Sequence, residues 1–141
     1  MKNLVSIVIF LTGLYFHAAA ENRVFNVHCG LSENTVRSII QDSTGYMWFA
    51  TKDGLCRYNG KDFTSYGSSS ESSNSSPLNI EALLLHEDGK RIWVASRTAL
   101  VLFDPKDTSI SSITADTGCG STKIRSCLYV CYDVARNVWV V

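Results

Sequence analysis

Histidine stands beside cysteine at His28-Cys29, the closest approach to a nucleophile and its base along the chain. Adjacent residues on a strand point to opposite faces, so a hydrogen bond between the two side chains is geometrically poor. His86-Glu87-Asp88 brings together nitrogen and oxygen donors of the kind that ligate a cation. It directly precedes Gly89, where acidic residues serve turn chemistry instead. Asp53-Gly54 and Asp62 read as turn residues for the same reason. Trp48, Trp93 and Trp139 carry faces that could stack on sugar rings. Their place in mid-strand, before small or β-branched residues, points to packing instead. Five cysteines, at 29, 56, 119, 127 and 131, fall at no metal-ligand spacing. They read as small buried side chains, with Cys119 in its Gly-Cys-Gly loop the most reactive thiol. If 127–131 is a strand, Cys127 and Cys131 share a face about 13 Å apart and do not bond to each other. No catalytic residue, metal ligand or cofactor-binding residue is assigned.

The elements that position these residues begin after residue 20. Lys2, the apolar run Leu4–Phe16, and Ala18-Ala19-Ala20 before Glu21 form a secretory signal-peptide pattern. Thirteen apolar-run residues are too short to span about 30 Å of hydrocarbon. The chain from 21 onward is expected to be exported and periplasmic. Over all 141 residues, 13 basic and 13 acidic side chains cancel. That balance offers no electrostatic footprint for nucleic acid. At 45% hydrophobic residues the composition is that of a folded domain. The length admits one domain with a real core and leaves no room for a kinase.

The tryptophans lie 45 and 46 residues apart, in GYMWFAT, KRIWVAS and RNVWVV. TVRSIIQDSTG before Trp48 aligns with NIEALLLHEDG before Trp93, with one residue inserted in the second copy. Within a unit, short β-branched and aromatic runs alternate with turns. Strands are expected at Val36–Asp42, Met47–Thr51, Leu55–Tyr58 and Phe63–Tyr66, then at Ile80–His86, Ile92–Ser96, Leu100–Phe103 and Ile110–Thr114. Asn59-Gly60 predicts a two-residue type I′ hairpin. Four short antiparallel strands per 45 residues is the arithmetic of a β-propeller blade. The fold class is therefore all-β: a partial β-propeller of about two and a half four-stranded blades after a signal peptide. Repeat 1 covers about 31–66, a Ser-rich loop 67–76, repeat 2 about 77–114, and a partial repeat 3 about 122–141.

Residues 30–67 resemble the opening repeat of the two-component regulator propeller, the sensor region of Bacteroidetes-type hybrid two-component histidine kinases. The resemblance is carried by Gly30, Leu31, Asn34, Val36, Gln41, Asp42, Gly45, Trp48, Thr51, Gly54, Leu55 and Tyr58, with Trp93 and Trp139 as the repeated tryptophans. These are motif positions of the repeat, read as structural. VFNV at 24–27 resembles the strand that completes the last blade of a closed ring, and Ser76-Pro77-Leu78 the start of the second unit. Departures are Cys29 for an acidic residue, Cys56 for a polar one, and Ala99-Leu100 for Gly-Leu.

The resemblance implies a periplasmic propeller that senses glycans or oligosaccharides. It implies a full-length, membrane-anchored homodimer with a kinase beyond the propeller; no kinase motif lies in this chain. Two and a half blades leave a face uncovered, and Val138–Val141 ends within a strand, so the chain is expected to be a truncated piece. The alternatives are part of an exported propeller enzyme, a lyase or glycosidase, or of a structural or adhesion module.

Overall fold

The computed structural model describes residues 22–66, 79–97, 99–116, 121–123 and 127–141. The expected signal peptide, Ser-rich loop, Ser76-Pro77-Leu78 and Cys119 lie outside the described residues.

Strands β1 (Val36–Gln41), β2 (Met47–Thr51), β3 (Gly54–Tyr58) and β4 (Phe63–Tyr66) form one antiparallel sheet in sequential order. Strands β5 (Ile80–Leu85), β6 (Ile92–Ser96), β7 (Leu100–Asp104) and β8 (Ser109–Ser112) form a second of the same order. Two hairpins follow: β9 (Thr114–Asp116) with β10 (Ser121–Lys123), and β11 (Val130–Tyr132) with β12 (Val138–Val140). The architecture is all-β, an unclosed partial propeller. Strand β1 lies against β5, and β5 against β11, so the first strands of successive blades converge on the inner side.

The blades face each other through apolar side chains. Trp48, Ala50 and Leu55 of the first pack on Ile80, Leu83, Ile92, Val94, Val101 and Phe103 of the second. Ala82, Ala95 and Leu100 on the far face of the second blade pack on Cys127 and Val130. A third cluster, Leu31, Phe49 and Cys56, fills the outer face of the first blade, with Phe25 adding an aromatic edge to Phe63 at 5.3 Å. Strand β2 is thus buried on both faces, which is why it reads as a near-continuous apolar run.

Several local expectations need correction. Asn59-Gly60 is not a type I′ turn: four residues link Tyr58 to Phe63, and Asn59 lacks a positive φ. Its Oδ1 instead accepts from the Lys61 and Asp62 amides at 2.8 and 2.7 Å, while Gly60 takes φ 96°. The longer Asx-type loop satisfies more backbone donors than a two-residue turn could. Val27–Cys29 is a 3-10 turn capped by Asn26, and the last blade that a strand at 24–27 would complete is not among the described residues. Cys127 precedes β11 and does not share a strand with Cys131; its amide donates to the Ser96 carbonyl at 3.0 Å. The expected strand at Ile110–Thr114 ends at Ser112, and Thr114 starts the unforeseen β9–β10 hairpin.

Candidate functional site

The turn between β1 and β2 is organised by one carboxylate. Asp42 Oδ1 accepts from the Thr44 amide (2.9 Å), the Thr44 hydroxyl (2.6 Å) and the Tyr46 amide (3.1 Å). Its Oδ2 accepts from the Trp48 indole N–H at 2.8 Å. Burial alone would raise the Asp42 pKa, but the donors from Thr44, Trp48 and Tyr46 outweigh it and hold the carboxyl below its ordinary value. The third repeat uses the same device: Asp133 Oδ2 accepts from Trp139 Nε1 at 2.9 Å, again six residues on. With Asn137 also donating, the Asp133 pKa falls to about 2. The second repeat has His86 in that place, its ring 5.8 Å from Trp93. Trp93 Nε1 turns instead to the Tyr132 hydroxyl of the next hairpin, at 3.0 Å.

Between the first two blades this turn opens onto a cleft of about 280 Å³. Arg57 reaches into it, stacked over Tyr46 at 4.8 Å, Trp48 at 5.7 Å and Tyr66 at 5.9 Å. Its Nε is buried without a hydrogen-bond partner, so the aromatic faces are what offset its desolvation. Burial pushes the Tyr66 phenol up, with Arg57 opposing. The acids on the second-blade side are engaged locally. Asp88 accepts from the Lys90 and Arg91 amides and from Arg91 Nε, which hold its carboxyl low against the effect of burial. Asp104 accepts from the Lys106 amide at 2.9 Å. The cleft is therefore a clamp between blades, built from turn carboxylates and a caged cation.

A different constellation lies on the inner side. The β1 and β5 ladders are both irregular at the same place, between Val36 and Ser38 and between Ile80 and Ala82. Such irregularities re-aim the residue they contain. Those residues are Arg37 and Glu81, in equivalent positions of successive blades. The Glu81 side chain is 8% exposed, and its carboxylate takes Arg97 Nε at 2.7 Å on one oxygen and Arg37 Nη1 on the other. Arg97 foremost, and Arg37 with it, holds the Glu81 carboxyl below the usual range. One buried carboxylate thus fixes two guanidinium groups whose side chains are 34% and 58% exposed. Sequence reading missed this group, because one charge in a strand carries no sign of a bulge.

The motif positions are distributed as follows. Gly30 closes the 3-10 turn at φ 100° beside Phe63, and Asn34 Oδ1 accepts from the Val27 amide at 3.0 Å. Leu31, Trp48 and Leu55 are buried, and Val36 is half-buried at the start of β1. Gln41 Nε2 donates to the Gly45 carbonyl at 3.2 Å, across the Asp42 turn. The Thr51 hydroxyl donates to the Gly54 carbonyl at 2.8 Å, closing the β2–β3 turn, and the Tyr58 hydroxyl donates to the Gly60 carbonyl at 2.7 Å. Ser96 repeats the Thr51 contact with Ala99 at 3.0 Å. Trp93 is half-buried, while Trp139 is 60% exposed, with no described strand covering its face.

The remaining candidates stay apart from these groups. His28 and Cys29 sit exposed on the 3-10 turn. Cys56 is buried, its thiol donating to the Ser32 hydroxyl at 3.0 Å. Burial pushes the Cys127 thiol up. Asp53 and Asp62 lie in the turns that Thr51 and Asn59 organise. His86 Nδ1 lies 3.3 Å from Asp88 Oδ1, whose oxygens already serve the turn.

Blades of this shape and order define a β-propeller. The family profile of the two component regulator propeller matches residues 30–53. The extracellular domain assigned to the hybrid two component system BT3049 of B. thetaiotaomicron is similar at 26% identity and a TM-score of 0.69, over 84% of this chain and 17% of that one. Two structures of the extracellular domain of BT4673, from the same organism, share the fold. One has 22% identity, TM-score 0.61 and coverage of 82% of this chain and 15% of that one. The other has 17% identity, TM-score 0.64 and coverage of 85% and 17%. Among curated proteins none matches. The chain is a partial β-propeller similar to these extracellular domains, and it spans about a sixth of their length.

Proposed function

We propose that the chain is part of the ligand-sensing propeller of a two-component signal-transduction protein, lying outside the cytoplasmic membrane and responding to a glycan or oligosaccharide. The observation that carries this reading is the match to the BT3049 extracellular domain over 84% of the chain. The inner-edge Arg37–Glu81–Arg97 group supports it, since a convergent set of polar side chains is what orients a ligand in a propeller. In the full-length protein, ligand binding shifts the packing of a membrane-anchored homodimer. The catalytic alternative is disfavoured by the carboxylates themselves: Asp42, Asp88 and Asp133 are each engaged in turn hydrogen bonds.

The test is an NMR titration of the isotope-labelled 141-residue chain with a panel of oligosaccharides. With two four-stranded blades and part of a third, binding is expected to be saturable and weak, Kd on the order of millimolar. Hydrolysis or elimination of any panel member would refute the sensor reading, as would the absence of saturable shifts across the panel.

A further inference from the structure

The inner-edge group has the anatomy of a recognition site rather than of a simple ion pair. A lone surface pair contributes little to stability and leaves both partners wet. Here the acid is the covered member, its side chain 8% exposed beneath the two arginines, and the cations are the more accessible ones. Glu81 takes only one nitrogen from each arginine: Nη1 of Arg37 and Nε of Arg97. A guanidinium carries five N–H donors in a rigid fork, so each arginine keeps most of its donors for another partner. The formal charge of the trio is +1. A buried acid that fixes accessible arginines is the usual means of holding a first contact shell in place. The arginines come from different blades, so their separation is set by blade packing and not by one flexible loop.

Fixed guanidinium forks match planar or tetrahedral oxyanions, and bind them with charge-assisted bonds stronger than those to neutral hydroxyls. We infer that Arg37 and Arg97, oriented by Glu81, bind an oxyanion at the inner edge of the propeller, so that the ligand carries a carboxylate or a sulfate group. This rests on the reading above that the propeller takes a saccharide; the ligand is then an acidic one. The Arg57 cleft does not compete for this role, because its cation is caged by three rings and serves the blade interface.

The experiment titrates the full 141-residue chain with four probes: a glucuronate-containing disaccharide, a sulfated hexose, the matching neutral disaccharide, and sodium sulfate. The readout is the Nε–Hε resonances of the arginines, assigned by Arg37→Lys and Arg97→Gln. Arg97 is 58% exposed, so Arg97→Gln leaves the fold intact even where Glu81→Gln does not. An acidic saccharide is expected to bind about tenfold or more tightly than the neutral one, to lose that margin in Arg97→Gln, and to weaken with added salt. Preference for glucuronate or for the sulfated hexose identifies which oxyanion the ligand carries. Equal affinity for acidic and neutral disaccharides overturns the inference and leaves the glycan reading standing. Binding of sulfate with no saccharide bound supports the oxyanion site and removes the glycan reading. No response to any acidic probe, or unchanged acidic affinity in both arginine variants, overturns the inference.

Discussion

Replacing Asp42 by Asn tests the account of the blade turn. Asp42 is 9% exposed and its carboxylate accepts four hydrogen bonds. Asn preserves size and one acceptor. If its oxygen stays toward Thr44 and Tyr46, its NH2 group faces the Trp48 indole N–H, 2.8 Å from the replaced oxygen. If the amide flips, the indole is satisfied and three donors lose their acceptor instead. Either way a charge-assisted bond, roughly 1.5–3 kcal/mol, is lost and a buried donor is left unpaired, roughly 1–3 kcal/mol. The two overlap, and a net loss of about 2–4 kcal/mol is expected. Asp133→Asn makes the same chemical change beside Trp139, which is 60% exposed, where water replaces the lost acceptor; little change is expected there.

The assay is urea denaturation followed by far-ultraviolet circular dichroism at neutral and acid pH. Asp42 ionises below the 3.8 of a free aspartate, so the unfolded chain takes up its proton first. Its contribution is complete above about pH 5 and is lost as pH falls through the unfolded and then the folded value. Asp42→Asn should therefore flatten part of the acid limb as well as lower stability at neutral pH. Equal effects of the Asp42 and Asp133 substitutions, or an Asp42→Asn effect under about 0.5 kcal/mol, would refute the reasoning.

Three further outcomes are expected. Gly89→Ala should destabilise the chain by roughly 1–3 kcal/mol in the same assay, because Gly89 has φ 69° and an added Cβ would sit 2.9 Å from Ser43 Cβ of the neighbouring blade. Arg57→Leu should fall within about 1 kcal/mol of the parent, since losing the cation–π contacts is offset by removing a buried, unpaired Nε; a large loss would mean that the guanidinium makes a bond essential to the interface. Among the described cysteines, peptide-mapped alkylation should modify Cys29 fastest and Cys56 and Cys127 slowest, following exposure and the raised Cys127 thiol pKa.

The blade architecture was legible because it rests on periodic signals. The tryptophan spacing, and strands such as Met47–Thr51, Phe63–Tyr66 and Ile92–Ser96, required only alternation and turn residues. What remained hidden depends on partners distant in sequence. Nothing near Asp42 says that its second oxygen holds an indole, although Asp42 and Asp133 each precede a tryptophan by six residues. Nothing near Glu81 says that Arg37, 44 residues earlier, closes on it. The Asn59 loop was misread because Asn-Gly signals a hairpin without fixing the loop length, and the Asn59 side chain chose the longer loop. Trp139 was expected to pack and lies exposed, since burial is decided by the neighbouring blade and not by the repeat motif.

Comparing the repeats with one another separates two kinds of variation. Some changes preserve a job: Ser96 replaces Thr51 and still closes its turn, and Ala99 can stand where Gly54 does because only Gly54 needs a positive φ, 119°. His86 in place of Asp42 reroutes an indole to Tyr132 but keeps it bonded. Arg37 and Glu81 behave differently. They occupy one backbone position, re-aimed by the same irregularity in each ladder, and carry opposite charge. The reversal places opposite charges face to face where the first strands of the two blades meet. The second blade thus supplies the fixed anion and one accessible cation, Arg97, and the first blade supplies the other, Arg37. A ring of like units can recognise an unsymmetrical ligand only where its blades differ, and among the described residues this is where the first two differ in charge on the inner face.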